Sequence, residues 1–209
     1  MNTRRPLSFL DIINVCDNFR PSASSEPLVP FLLSETSREA IGLLFPQVVA
    51  ELVKDNDVRR SQGLDDAWAI QSIPDAASAV PRTVYVAFAS SLDTPAARTR
   101  ALRLTCTRWR DTGVFSDVIG PRLWRSEWYD VFRSAFGARS GPGIGVDPEV
   151  YADDGARNYA FSLERAACGL FGVVTYGVHM MVYERDGSDI YVWVPRRAAT
   201  KPTCVSSSP

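Results

Sequence analysis

The chain is poor in the side chains most often recruited for chemistry. It has a single histidine, His179, and four cysteines at 16, 106, 168 and 204, no two of them close in sequence. That spacing excludes the paired-cysteine patterns of zinc sites and gives no disulfide framework. One histidine among apolar neighbours reads as a core residue. No set of nucleophile, base and orienting group can be assembled from it. Net charge is nearly absent: 23 Lys/Arg against 24 Asp/Glu leave a formal charge of -1. Nothing in that balance draws the chain to nucleic acid or to a membrane surface. Long apolar runs are missing too, so no bilayer-spanning segment is expected. Asp11 and Asn14 interrupt the apolar stretch after Arg4-Arg5, which argues against a signal peptide. The expectation is a soluble, cytoplasmic protein. The glutamates at 26, 35, 39, 51, 127, 149, 164 and 184 are scattered. Only Glu35 and Glu39 stand one helical turn apart, and they fall in an expected loop. A carboxylate-lined metal site is therefore not expected.

What is present is ordinary globular material, enough at 209 residues for one large domain or a domain plus a fragment. Phe9, Ile12, Ile13, Cys16 and Phe19 recur at helical steps and predict an amphipathic helix over about 7–18. Leu28 to Leu33 and Ala40 to Leu44 predict short strands. Pro46 opens a helix with Val48, Val49, Leu52 and Val53 on its face, reaching about Asp55; residues 55–66 are polar and read as loop. Residues 67–73 and 84–88 read as strands. Asp93-Thr-Pro-Ala opens the clearest helix, which stops at Gly113 and carries Leu102, Cys106 and Trp109 on one face. Cys16 and Cys106 fall on apolar faces, where a reduced cysteine acts as a small hydrophobe. Residues 114–136 are aromatic but ambiguous in period, and 136–157 read as an exposed loop. Leu163 to Phe171 suits a short helix. Val173 to Glu184 and Asp189 to Pro195 predict a hairpin around Arg185-Asp-Gly-Ser188. Both faces of its strands are apolar, so they are expected inside a sheet covered on both sides.

Two motifs invite more than they support. Gly141-Pro-Gly-Ile-Gly145 looks like a phosphate loop, yet it lacks the strand before it and the helix after it that the dinucleotide fingerprint requires. Arg98, Arg100, Arg103, Arg108 and Arg110 make one helix locally basic. With Trp109 on the apolar side, a solvated face is the expectation rather than a nucleic-acid surface.

Three segments carry a family resemblance: Phe161-Ser-Leu-Glu-Arg-Ala-Ala167, Leu170-Phe-Gly-Val-Val-Thr-Tyr-Gly-Val-His-Met180 and Trp193-Val-Pro-Arg-Arg-Ala-Ala-Thr-Lys201. Leu10-Asp-Ile-Ile-Asn-Val-Cys-Asp-Asn-Phe19 and Gly42-Leu-Leu-Phe-Pro46 extend it more loosely. Together they resemble a subgroup of Nudix hydrolases in fungi and plants, often labelled thiamine pyrophosphokinase-related. In these a domain of unknown function precedes the Nudix domain. The resemblance implies an α+β chain: an accessory N-terminal domain over 1–157, the first hairpin of an incomplete Nudix α/β/α fold over 158–201, and a divergent tail over 202–209. The family continues after the Thr-Lys pair into a Tyr-Pro-Gly segment and a box of glycines and glutamates that holds the metal. Pro202-Thr-Cys-Val-Ser-Ser-Ser-Pro209 departs from that pattern. The module is therefore expected to be truncated and inactive, with no catalytic residue and no cofactor in this chain, although complete members use magnesium.

The activity implied for complete relatives is diphosphate hydrolysis on damaged thiamine diphosphate-like or nucleoside diphosphate compounds. The implied partner is a diphosphate-containing small molecule, with neither nucleic acid nor membrane as a partner and the oligomeric state open. Arg196, Arg197 and Lys201 are the candidate phosphate contacts, because guanidinium and ammonium groups suit phosphate oxygens. The alternative expectation is a non-catalytic ligand-binding or protein-interaction module.

Overall fold

A computed structural model of the protein describes residues 8–16, 27–75, 81–138, 140–142, 145–151, 157–177 and 180–194. The fold is α+β. Strands β1 (Val29–Leu32), β2 (Ala40–Leu44), β3 (Trp68–Ile73) and β4 (Arg82–Phe88) form a four-stranded sheet in the order β2-β1-β4-β3. Neighbours are antiparallel except β1 and β4, which run parallel. Helix α1 (Phe9–Cys16) precedes the sheet and α2 (Pro46–Ser61) joins its two halves. Helix α3 (Pro95–Thr112) and the single turn α4 (Ser116–Ile119) follow. A second ribbon pairs β5 (Trp128–Phe132) with β6 (Tyr159–Glu164) and leads through a 3-10 turn into α5 (Cys168–Phe171). The chain's last described element is the hairpin β7 (Val182–Asp186) and β8 (Asp189–Trp193).

The core is aromatic. Phe31 lies between Phe88, 5.1 Å away between ring centres, and Phe171, 5.7 Å away; Trp109 stacks on Phe171 at 5.9 Å. Tilted and offset rings at these separations gain energy beyond their area burial. Helix α3 presents Ala101, Leu102, Thr105, Cys106 and Trp109 to this core, a spacing of three and four residues. Thr94 caps it by accepting from the Ala97 amide (3.2 Å), with Pro95 in the first turn. Gly113, in the left-handed region at φ +77°, closes it.

Three expectations need correction. Helix α2 runs to Ser61, past Asp55, because Asp55 and Asn56 turn inward and are buried there. Asn56 accepts from the amides of Ala67 and Trp68 and donates to the Trp68 carbonyl, which ties the helix to β3. Residues 159–164, partly assigned to a helix by the sequence, form β6; all six are buried, so its apolar run reflects burial on both faces rather than helical period. It pairs antiparallel with β5. The solvated basic face holds for Arg100 and Arg103 but not for Arg98, which is buried. Its guanidinium donates to the carbonyls of Asp93 and Ala160 and lies 5.9 Å from the Phe88 ring centre. Burial first, then the neighbouring Arg133, lowers its pKa to about 10.

The hairpin departs most from expectation. It exists, with Gly187-Ser188 as its turn, but all ten strand residues are exposed rather than covered. Among the described residues no third strand pairs with it and no layer packs on it.

Candidate functional site

A cleft of about 1800 Å³ opens between α3 and the β5–β6 ribbon. Typical small-molecule sites are roughly 300–1,000 Å³, so there is room for an organic ligand with space to spare. Helix α3 supplies one wall through Arg100, Arg103, Leu104, Thr107, Arg108 and Asp111. These recur at helical steps on the side opposite the core stripe. The ribbon supplies the other wall. Its register sets Trp128 opposite Glu164 and Asp130 opposite Ser162. Directly opposed residues of an antiparallel pair share a face, as do residues two apart. Trp128, Asp130, Ser162 and Glu164 therefore share one face, and all four line the cleft. Residues 145–149 close one end, where Gly145, Val146 and Asp147 join the lining.

The floor is held by hydroxyls. The buried Ser162 Oγ donates to Asp130 Oδ1 (2.6 Å) and lies 2.8 Å from the Tyr159 hydroxyl, while its amide donates to Thr99 Oγ1 (2.9 Å). Burial pushes the Tyr159 phenol up to about 12. Asn158 fixes the adjoining turn: it accepts from the Ser134 amide and donates to the carbonyls of Ser134 and Ala138. Gly141 then passes so close to Asp130 that an added Cβ would press on Asp130 Oδ2.

Four of the five arginines that line the cleft are ion-paired, two of them with one shared carboxylate. Arg103 pairs with Glu149 at 2.5 Å, and that bond and charge raise its pKa; Arg100 reaches the same carboxylate at 3.9 Å. Arg108 meets the buried Asp55, which also accepts from Trp68 Nε1 (2.7 Å) and Thr105 Oγ1 (3.2 Å). Arg108 is thus anchored inward, and its burial lowers its pKa. Arg110 pairs with Asp111 and lies 4.6 Å above the Trp124 ring.

Arg196, Arg197 and Lys201 lie outside the described residues, as do His179, Cys204 and residues 143–144 of the glycine-rich segment. Cys106 and Cys168 are buried free thiols whose pKa values burial pushes up, to about 12 for Cys168. A thiol held protonated in this way is a poor nucleophile. Glu35 and Glu39 are in the exposed turn between β1 and β2. Trp128 and Asp130 fall in a stretch of ambiguous period and Glu164 in one that reads as helix, so no local signal sets the three on one face.

Among the described residues no group of three or more His, Cys, Asp or Glu side chains is placed to hold a metal ion. Among them, too, no helix is long and apolar enough to cross a membrane. No family model matches the chain. Ninety residues are 44% identical to the uncharacterized protein YJR142W of Saccharomyces cerevisiae, over 42% of this chain and 20% of that one. Another alignment, of 44 residues, is 52% identical to Nudix hydrolase 20, chloroplastic, of Arabidopsis thaliana, over 21% of this chain and 12% of the relative. In part, then, the chain is similar to a Nudix hydrolase. It spans only a fifth or less of these relatives' lengths. The divalent metal that Nudix chemistry implies finds no matching donor set among the described residues, so no catalytic step is derived through it.

Proposed function

We propose that this chain is a non-catalytic accessory module joined to the opening of a Nudix-type domain, in the service of diphosphate hydrolysis. The 44-residue similarity to a Nudix hydrolase carries this reading. On it, residues 1–157 are the accessory part and 158–201 the start of the Nudix part. Arg196, Arg197 and Lys201 contact the phosphates of a thiamine diphosphate-like or nucleoside diphosphate compound in the cytoplasm. Magnesium and the carboxylates that hold it are what the resemblance implies for Nudix hydrolases that carry the glutamate box.

The test uses the chain itself. With magnesium and thiamine diphosphate it should release no phosphate, and turnover above the buffer blank would overturn the inactive reading. Thiamine diphosphate should raise the melting temperature, and the triple variant Arg196→Ala, Arg197→Ala, Lys201→Ala should lose that rise. An unchanged shift in the variant would remove these residues from the phosphate site.

A second reading is favoured by a separate observation. The large cleft with its single-faced array of Trp128, Asp130, Ser162 and Glu164 supports a ligand-binding module whose binding does not require hydrolysis.

A further inference from the structure

We infer that the cleft between α3 and the β5–β6 ribbon binds a flat organic cation, seated on Trp128 and faced by Glu164, Asp130 and Asp147. This rests on the ligand-binding reading of the cleft and does not depend on the diphosphohydrolase reading.

The first argument is charge. Five arginines and six carboxylates line the cleft. Arg100 and Arg103 share Glu149, Arg108 meets Asp55 behind the wall, Arg110 pairs with Asp111, and Arg59 donates to the Asp65 carbonyl. Glu127 pairs with Arg165. Asp130, Asp147 and Glu164 remain, with no lysine or arginine within ion-pair distance among the described residues. Three carboxylates without an ion pair stand against Arg59 and the arginine in excess at Glu149, so the cleft keeps a small negative balance despite its arginines.

The second argument is a mostly buried carboxylate on the cleft wall. Glu164 is only 6% exposed. Its Oε1 accepts from the amides of Arg125 (3.0 Å) and Ala166 (3.2 Å). Its Oε2 accepts no hydrogen bond from the described residues and is not among their fully buried unpartnered atoms, so it keeps access to the cleft that the residue lines. A carboxylate with so little solvent around it gains from a cation that enters beside its open oxygen.

The third argument is the surface next to it. Trp128 is the cross-strand neighbour of Glu164 and is 41% exposed; Leu104 and Val146, at 54% and 45%, extend the apolar lining. An indole face next to a carboxylate attracts a cation twice, through the ring quadrupole and through charge. Since no group of three or more donors converges on one point among the described residues, a bare metal ion does not match the array. A planar ammonium body, whose charge is spread over a ring, does.

The experiment titrates the chain at pH 7.5 with three probes of one shape: 1-methylquinolinium, neutral quinoline and anionic 2-naphthalenesulfonate. Binding is read by calorimetry and by tryptophan fluorescence. The cation should bind at least about tenfold more tightly than the anion, with the neutral probe between them. Raising the salt should narrow the gap. Trp128→Ala should weaken the cation by roughly 3–30-fold. Glu164→Gln should erase most of the preference for the cation. Because it could disturb the strand end, Asp147→Asn on the exposed loop gives a second charge deletion, read at an unchanged melting temperature. Equal affinity for all three probes, or preference for the anion, would overturn the cation site while leaving the cleft a ligand site. Failure of all three to bind at millimolar concentration would overturn both.

Discussion

At the residue scale, polar side chains buried between elements decide how this sequence folds. Asp55 and Asn56 are adjacent and take different tasks. Asn56 uses its amide to satisfy the backbone at Ala67 and Trp68, while Asp55 accepts from Trp68 Nε1 and meets Arg108. Each would cost stability if left unpaired, so their partners fix how α2 lies against β3 and α3. Tyr159 offers the cleanest measurement at this scale. Its ring is fully buried, and its hydroxyl meets Ser162 at the floor of the cleft. Burial pushes its pKa from 10.0 to about 12, so the folded state holds the phenolic proton more tightly than the unfolded chain. That stabilisation is fully present below pH 10 and declines as pH rises from about 10 toward 12, by up to roughly 1.4 kcal/mol per unit. Urea midpoints of the protein should therefore fall faster than those of Tyr159→Phe between pH 9.5 and 11. Parallel curves would mean that the phenol does not feel its burial.

At the element scale, two glycines that end helices separate strain from contact. Gly113 after α3 and Gly172 after α5 both have positive φ, +77° and +55°. A Cβ at Gly113 would meet nothing within 4 Å, whereas one at Gly172 would fall on the backbone of Leu43 in β2. The Leu43 amide also donates to the Gly172 carbonyl (3.3 Å), so this close approach docks the end of α5 on the sheet edge. Gly113→Ala should cost only the left-handed strain, roughly 1–2 kcal/mol. Gly172→Ala should cost about 2–4 kcal/mol once the steric conflict is added. Equal losses in chemical denaturation would show that the Leu43 contact yields freely. The same contrast explains what could be read from the residues alone. The stop at Gly113 was legible because a glycine after an apolar period is a local signal. The length of α2 and the strand at 159–164 were not. Asp55 and Asn56 look like loop residues until Trp68 and Arg108 arrive as partners, and a six-residue run buried on both faces has no period to read.

At the scale of the whole molecule, distance in sequence hid the candidate site. Asp130 and Ser162 are partners across 32 positions, and only strand pairing sets Trp128 beside Glu164. No local motif announces such a face. The C-terminal hairpin shows the reverse: its strands were legible, and their surroundings were not. Val182, Tyr183, Ile190, Tyr191, Val192 and Trp193 are 47–65% exposed, on a ribbon whose outer edges have no strand beside them among the described residues. Isolated two-stranded ribbons are marginal in water, and unpaired apolar edges recruit other strands. Both faces carry apolar side chains, so adding a strand along one edge would not by itself cover them. The isolated chain should therefore associate as its concentration rises, through the hairpin rather than through the aromatic core. Sedimentation velocity from about 5 to 200 μM should show the shift. The double variant Tyr191→Lys, Val192→Lys places a charge on each face of β8 and should stay monomeric while keeping the parent melting temperature within a few degrees. A parent chain that is monomeric across that range would mean that the hairpin finds its cover within the chain. Association unchanged in the double variant would move the sticky surface elsewhere.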